Sequence, residues 1–266
     1  MIDFSQKKGF ICDMDGVIYH GNQILPGVRD FIDWLHEEKK EYLFLTNNSG
    51  CTPKELAQKL ARMGMEVSER HFYTSALATA EFLKDQSPGC SVYAIGEAGL
   101  LNALYDVGIT MNDVNPDYVV IGEGKAYSLD TLTKAVNLVN AGAKLIGANS
   151  DVSGPVENGI VPGCRALVAP IEMATGKQAY FCGKPNPLMR RSGFRLLGCH
   201  SHEAVVVGDR MDTDVIAGLE SGADTVLVLS GVSTMDTLKT YAYGPSVVLD
   251  GVGDIARIGV EQKKAQ

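Results

Sequence analysis

Two aspartates, Asp13 and Asp15, follow a short apolar run near the start of the chain and are separated by one residue. The run Gly9–Cys12 predicts a strand, and ligands in an open α/β sheet bind beyond the carboxyl ends of the strands. Alternation along an extended backbone sends both carboxylates to the same side. Adjacent carboxylates repel each other unless a cation binds between them or one is protonated. The pair therefore indicates a metal site, although aspartates at strand ends also serve as turn or capping residues.

Three more aspartates, Asp209, Asp212 and Asp214, follow a second apolar run and open a predicted helix. Mg²⁺ prefers hard oxygen ligands and usually keeps several waters, so one or two of these carboxylates together with Asp13 would suffice. Asp209 is the best ligand candidate because it is nearest the strand end. Asp214 could orient the loop from behind the ligands, and Asp212 or Asp214 could instead cap the helix.

Two further predicted strands end in groups that suit a phosphate. Thr46 offers a hydroxyl and Asn47 a backbone amide, and such donors at a strand end favour an anion. Asn48 and Ser49, the next two residues, are more typical of an ordinary turn. Lys184 stands between a glycine and a proline, which favours a fixed lysine over a mobile surface charge.

These groups are carried by a chain in which short apolar runs alternate with longer amphipathic stretches, the pattern of an α/β protein with a mostly parallel sheet. The predicted strands are Gly9–Cys12, Glu41–Thr46, Ser91–Ile95, Tyr118–Gly122, Lys144–Ala148, Ala179–Cys182, Ala204–Gly208, Thr225–Leu229 and Ser246–Leu249. The predicted helices are Pro26–Lys39, Pro53–Met63, Ser75–Asp85, Ala98–Val107, Leu129–Ala141, Ala166–Thr175, Pro187–Leu197 and Thr213–Ser221. No GxGxxG follows the first strand, so a dinucleotide-binding oxidoreductase is set aside.

The segment 77–181 contains its own series of strands and helices, whereas the groups described above lie almost wholly outside it. We therefore predict a catalytic core formed by residues 1–76 and 182–266, with 77–181 inserted as a second α/β domain. The placement of the motifs sets this boundary, because no linker rich in Pro, Ser or Gly separates the two parts. A chain of 266 residues is long enough for both.

In their order along the chain, the four segments resemble the four motifs of the haloacid dehalogenase superfamily of phosphohydrolases: Asp13-x-Asp15, Thr46, Lys184 and Gly208-Asp209-x-x-x-Thr213-Asp214. The resemblance covers almost the whole chain and narrows to the NagD-like branch. The phrases similar to that branch are Asp15-Gly16-Val17, Leu45-Thr46-Asn47, Phe72-Tyr73-Thr74-Ser75-Ala76, Val114-Asn115-Pro116-Asp117, Gly183-Lys184-Pro185 and Val228-Leu229-Ser230-Gly231-Val232. The resemblance implies a Rossmann-like parallel-sheet core with an α/β cap between the second and third motifs, in agreement with the inserted segment.

For the chemistry, the resemblance implies that Asp13 attacks phosphorus and that Asp15 acts as general acid and base. It implies Mg²⁺ held by the carboxylates of Asp13 and Asp209 and by the backbone carbonyl of Asp15. The equatorial phosphate oxygens would be held by Thr46, Asn47 and Lys184.

The implied substrates are nucleoside monophosphates such as UMP, with sugar phosphates and p-nitrophenyl phosphate as looser ones. In capped enzymes the insert contacts the leaving group and selects the substrate. Asn149 and Asp151 are the polar residues of the insert that we expect to make this contact. A surface turn rich in Asn, Asp and Gly is the alternative interpretation of both residues. Arg165 could meet a second anionic group or form a surface salt bridge.

Two other functions stay open on the same scaffold. A sensor could bind phosphorylated ligands without turning them over, although it would need no nucleophile paired with a proton donor. A phosphotransferase or mutase would share every catalytic residue, and only its product would distinguish it from a phosphatase.

The composition of the chain limits which partners and which cellular compartment we expect. Acidic residues outnumber basic ones 32 to 24 and no basic cluster with interleaved aromatics occurs, so nucleic acid is not an expected partner. The first residues lack the pattern of a signal peptide or a membrane span, and we expect a cytoplasmic protein. Six cysteines are scattered without CxxC spacing, which favours buried, reduced thiols over a zinc site or disulfides. The bulk of the insert would allow a homo-oligomer to form through it.

Overall fold

The computed structural model describes residues 2–156 and 159–265 and has two compact units. The first unit comprises Met1–Leu45, Ala57–Phe72 and Arg190–Gln266, and the second comprises Thr46–Leu56 and Tyr73–Met189. The predicted insert 77–181 falls within the sequence range of the second unit, and its role as a cap stays a prediction.

Helices and strands alternate along the chain as the apolar pattern predicts. The strands are β1 Gly9–Cys12, β2 Tyr19–His20, β3 Gln23–Ile24, β4 Glu41–Thr46, β5 Phe72–Thr74, β6 Ser91–Ile95, β7 Thr110–Met111, β8 Tyr118–Ile121, β9 Lys144–Gly147, β10 Ser153–Val156, β11 Gly159–Pro162, β12 Tyr180–Phe181, β13 Ala204–Gly208, β14 Asp224–Val228 and β15 Val247–Leu249. The helices are α1 Val28–Glu37, α2 Pro53–Arg62, α3 Ser75–Gln86, α4 Ala98–Asp106, α5 Leu129–Asn140, α6 Cys164–Thr175, α7 Pro187–Leu197, α8 Ile216–Ser221, α9 Met235–Leu238 and α10 Gly253–Lys264. Across residues 2–156 and 159–265, no helix has both the length and the apolarity needed to cross a membrane.

The sheet of the first unit has the strand order β15-β14-β13-β1-β4-β5. The pairs β1–β13, β1–β4, β13–β14 and β14–β15 are all parallel. Every residue of β1 and β13 is buried, as expected for strands that are covered on both faces. The chain moves outward from β1 in one direction through β4 and in the other through β13, β14 and β15. The topological switch point of this sheet therefore lies at β1 and β13, where an open α/β sheet binds its ligand.

The sheet of the second unit has the order β12-β9-β8-β6-β7, with parallel pairing throughout. Its two faces follow the period of two along a strand. On β8, Val120 packs into one apolar cluster with helices α3 and α4, whereas Val119 and Ile121 pack into a second cluster with α5 and α6. Because β6, β8, β9 and β12 run parallel, the polar residues that follow their carboxyl ends lie along the same end of the sheet.

Candidate active site

An acidic cluster, formed by Asp13, Asp209 and Asp214, lies at the switch point of the first unit. One carboxylate oxygen of each residue lies within 4.8 Å of the others. The register explains the approach: Cys12 pairs with Val207, so the residues that follow leave the sheet side by side. Asp209 and Asp214 are buried and Asp13 is half-buried. Clustered carboxylate oxygens are hard ligands that suit a divalent cation such as Mg²⁺, so the residues present fit the predicted metal.

The cluster differs in one respect from the predicted ligand set. Among the described residues it brings Asp214 together with Asp13 and Asp209. The predicted role of Asp214, to orient the loop without binding the metal directly, stays a prediction. The carboxylate of Asp15 is outside this group. The predicted contribution of Asp15 to metal binding was its backbone carbonyl, and that contribution stays a prediction.

Asp209 is oriented by the backbone around it. Its Oδ2 accepts a hydrogen bond of 2.7 Å from the backbone amide of Val232. A Cβ added to Gly16 or Gly231 would stand 2.6 Å or 2.1 Å from the same oxygen. Gly16 also has φ +77°, a conformation that only glycine adopts readily. The carboxylate of Asp209 therefore fits only because positions 16 and 231 are glycines.

Asp214 lies on a π-helical turn, Met211–Val215, that precedes α8. Such turns are rare and occur often at functional sites. The Oδ2 of Asp214 accepts a hydrogen bond of 3.3 Å from the backbone amide of Arg210. The guanidinium of Arg210 donates two hydrogen bonds, of 3.0 Å and 2.8 Å, to the carboxylate of Asp212. The capping role considered for these aspartates is not observed, since the N-cap of α8 is Val215 and makes no side-chain capping bond.

The carboxyl of Asp15 has a pKa above its usual range. Partial burial raises the pKa of its carboxyl, with a further increase from the negative charge of Asp13, while Lys59 and His20 lower it. The ammonium of Lys59 is held 3.8 Å from the centre of the Tyr19 ring. Sequence analysis did not identify Lys59, because an isolated lysine on an amphipathic helix looks like a solvent-facing charge.

In the second unit, four predicted site residues are joined by hydrogen bonds: Asn47, Asn149, Asp151 and Lys184. The Nδ2 of Asn47 donates to Oδ2 of Asp151 at 3.0 Å and to the backbone oxygen of Lys184 at 3.2 Å. The Oδ1 of Asn47 accepts from the backbone amide of Lys184 at 2.7 Å. The Nδ2 of Asn149 donates to the backbone oxygen of Asn47 at 2.6 Å. Asn149 is fully buried and Lys184 is 4% exposed, so the surface-turn interpretation is wrong for Asn149.

In the loop after β4, Asn48 makes local hydrogen bonds within a turn, whereas Ser49 is buried and bonds to a distant residue. The Oγ1 of Thr46 accepts from the backbone amide of Asn48 at 3.2 Å, and Oδ1 of Asn48 accepts from that of Cys51 at 2.8 Å. Asn48 is thus the turn residue that the sequence predicted. Ser49 is not, because it is fully buried and bonded to Glu123. Sequence analysis missed Glu123, which stands between two glycines and looks like part of a loop.

Arg165 forms the salt bridge that was one of its two predicted roles. Its Nη1 pairs with Oε2 of Glu172, and its guanidinium lies 5.1 Å from the centre of the Phe181 ring. Its backbone amide donates to the backbone oxygen of Asp151 at 2.9 Å. The residue therefore contributes to the second unit through both its main chain and its side chain.

Comparison with known proteins gives relatives over almost the whole chain. The family model described as haloacid dehalogenase-like hydrolase matches residues 10–110, and a model described as HAD-hydrolase-like matches residues 181–255. The chain is 42% identical over 247 residues to the dihydroxyacetone phosphatase of Corynebacterium glutamicum (strain R), covering 93% of this chain and 90% of that protein. It is 40% identical over 248 residues to the ribonucleotide monophosphatase NagD of Escherichia coli (strain K12), covering 93% and 98%. The crystal structure of a 4-nitrophenylphosphatase from Thermotoga maritima matches with a TM-score of 0.92 and 32% identity, covering 97% of this chain and 99% of that one.

Proposed function

Because this chain belongs to the haloacid dehalogenase-like hydrolases and is a phosphatase of their NagD-like branch, we propose that it hydrolyses small phosphomonoesters through a covalent intermediate on Asp13. The observation that carries this proposal is the acidic cluster of Asp13, Asp209 and Asp214 at the sheet's switch point. A carboxylate in that position can act as a nucleophile when a cation reduces its repulsion from the phosphate.

The reaction has two displacements at phosphorus. In the first, a carboxylate oxygen of Asp13 forms a bond to phosphorus, the bond to the leaving oxygen breaks, and Asp15 protonates that oxygen. In the second, a water attacks phosphorus, Asp15 takes the proton, and the bond to Asp13 breaks to release phosphate. The raised pKa of Asp15 supports this role, because the carboxyl must be protonated when the alcohol leaves.

We assign the metal to Mg²⁺, held by the carboxylates of Asp13 and Asp209 and the backbone carbonyl of Asp15, with Asp214 close enough to ligate or to orient. The ion, when bound, neutralises charge on the phosphate and on the nucleophile. The clustered oxygens support a divalent metal, and the preference of Mg²⁺ for carboxylates and phosphate oxygens supports the choice of ion.

The phosphate oxygens are assigned to the hydroxyl of Thr46, the backbone amide of Asn47 and the ammonium of Lys184. The hydrogen bonds between the Asn47 side chain and the Lys184 main chain support the pairing of these two residues. Preorganised donors of this kind stabilise the charge that accumulates on the oxygens during transfer.

The substrates proposed are nucleoside monophosphates such as UMP, sugar phosphates and p-nitrophenyl phosphate. The names of the relatives support this range, since they include a ribonucleotide, a triose and an aryl phosphatase. Asn149 and Asp151 are proposed to contact the leaving group, within a cap of residues 77–181. We also propose that the protein acts in the cytoplasm.

The test is release of inorganic phosphate from nucleotides, sugar phosphates and p-nitrophenyl phosphate, with and without Mg²⁺. The variant Asp13→Asn should lose release with every substrate. The matched control is Asp212→Asn, whose aspartate is exposed and paired with Arg210; it should keep native activity. A native protein that converts a sugar phosphate to an isomer would be a mutase, and one that binds phosphate esters without releasing phosphate would be a sensor.

A further inference from the structure

Glu123, the second residue after β8, makes a reciprocal set of hydrogen bonds with Ser49. Its Oε2 accepts from the backbone amide of Ser49 at 2.8 Å and from the Ser49 hydroxyl at 3.1 Å. In return, the backbone amide of Glu123 donates to Oγ of Ser49 at 2.8 Å. Ser49 is fully buried, so these three bonds fix the loop after β4 against the loop after β8.

The other oxygen of the same carboxylate reaches the loop after β9. Oε1 of Glu123 accepts from Nδ2 of Asn149 at 3.1 Å. The same Nδ2 donates to the backbone oxygen of Asn47, which also accepts from Oγ of Ser75 at 2.6 Å. One carboxylate therefore connects the segments that carry Asn47 and Asn149.

The hydrogen bonds require an acceptor at both oxygen positions of the Glu123 carboxylate, Oε2 toward Ser49 and Oε1 toward Asn149. The side-chain amide of Asn149 cannot flip to turn its oxygen toward Glu123, because its Oδ1 already accepts a hydrogen bond of 3.1 Å from the backbone amide of Asp151. A carboxylate offers two acceptor oxygens, whereas a glutamine offers one oxygen and one NH₂ group. With its oxygen toward Ser49, a glutamine would direct its NH₂ group at the NH₂ group of Asn149.

We propose that Glu123 is a positioning residue, which holds Asn47 and Asn149 in the arrangement needed to bind the phosphorylated substrate. The proposal rests on the substrate-binding roles proposed above for Asn47, Asn149 and Lys184. Glu123 acts through Ser49 and Asn149, which both belong to the second unit. Because the proposed metal ligands lie in the first unit, we expect the loss of Glu123 to change substrate binding and orientation and to leave the Mg²⁺ requirement unchanged.

The kinetic test compares Glu123→Gln with Glu97→Gln. Glu97 follows β6 in the same unit, and its Oε1 accepts one bond of 2.6 Å from the backbone amide of Lys125, which a glutamine oxygen can also accept. Displacement of binding groups by about 1 Å can reduce activity roughly 100-fold. For Glu123→Gln we expect kcat/KM to fall by about 10- to 100-fold, mainly through KM, with the Mg²⁺ half-saturation point unchanged. Glu97→Gln should stay within about twofold of the native protein.

Two results would overturn the proposal. One is a Glu123→Gln variant with native kcat/KM, and the other is a loss that appears entirely as a higher Mg²⁺ requirement. The Ser49→Ala and double variants give a further check, because residues in contact should show non-additive losses.

A separate measurement applies even if the native chain releases no phosphate and the proposed function fails. Hydrogen–deuterium exchange should be faster in peptides covering residues 46–51 and 147–152 of Glu123→Gln than of Glu97→Gln. Equal exchange in both variants would show that Glu123 does not hold these loops, whatever the activity of the protein.

Discussion

The carboxylate of Asp209 and the backbone amide of Val232 are joined by a hydrogen bond of 2.7 Å. A second bond, of 3.1 Å, runs from the backbone amide of Ser233 to the backbone oxygen of Asp209. The hydroxyl of Ser230 donates to the backbone oxygen of Gly16 at 2.7 Å. The loop after β14 thus supports the loops after both β13 and β1, and it orients the carboxylate of Asp209 through a backbone amide.

Asp209→Asn should weaken Mg²⁺ binding while preserving the fold. The substitution keeps an oxygen that can accept from Val232 but removes one negative charge from the cluster. We expect the Mg²⁺ concentration for half-maximal activity to rise by at least about 10- to 100-fold, the range found when residues that only support the metal ligands are altered. This concentration is measured by titrating the activity with Mg²⁺. Asp212→Asn is the control, and its half-saturation point should equal that of the native protein. An unchanged half-saturation point would remove Asp209 from the ligand set.

Gly16→Ala should be more harmful than Gly21→Ala, although both glycines have positive φ, of 77° and 58°. A Cβ on Gly21 meets nothing within 4 Å, whereas one on Gly16 stands 2.6 Å from Oδ2 of Asp209. The left-handed conformation alone costs an alanine about 1–2 kcal/mol, so Gly21→Ala should lose about that much stability. Gly16→Ala should lose more and should also need more Mg²⁺. Urea unfolding and Mg²⁺ titration of both variants check this, and equal losses would contradict it.

Lys59→Met should move the alkaline limb of the kcat/KM profile to higher pH. The positive charge of Lys59 lowers the pKa of Asp15, so its removal raises that pKa. Asp15 must be protonated to serve as the acid, and a higher pKa keeps it protonated to a higher pH. The control is Lys54→Met, an exposed lysine on the same helix. An alkaline limb that stays in place would show that another group sets it.

Five of the six cysteines should differ widely in their reaction with an alkylating reagent at pH 8. Burial raises the pKa of Cys164 and of Cys182 to about 12, and it raises the pKa of the buried Cys12 as well. Since the thiolate is the reactive form, these three should not react in the folded protein. Cys51 and Cys199 are half-buried. Cys51 should be modified first and Cys199 after it, since burial also raises the pKa of Cys199. Mass spectrometry after a timed pulse distinguishes them, and early labelling of Cys164 would contradict the structure.

Much of the fold could be predicted because apolar runs mark strands that are buried on both faces. All nine predicted strands are present, with ends within a residue of those observed. Short elements were missed, including β2 and β3, whose two residues each cannot display a period. Helix α10 was also missed, because its first residue is Gly253 and the preceding segment resembles a loop. The predicted helix 213–221 begins instead as the π-helical turn of Met211–Val215.

The proximity of Asp13 and Asp209 could be predicted because both residues follow strands of one parallel sheet, and the burial of Lys184 could be predicted because it stands between a glycine and a proline. Glu123 could not be found in this way. Its partners Ser49 and Asn149 are 74 and 26 residues away in the chain, and only the order of strands in the sheet brings them together. Ser49 was misinterpreted for the same reason, since its neighbours in sequence suggest a turn while its partners are distant.

The two glycines beside Asp209 have a consequence for saturation mutagenesis. Neither Gly16 nor Gly231 has a side chain that could take part in a reaction, yet each leaves less than 3 Å between an added Cβ and the carboxylate. In a screen for activity, every substitution at these two positions should score as poorly as the loss of Asp209 itself. A mutational scan of this protein would therefore make Gly16 and Gly231 look like catalytic residues, although their only role is to leave space for the carboxylate of Asp209.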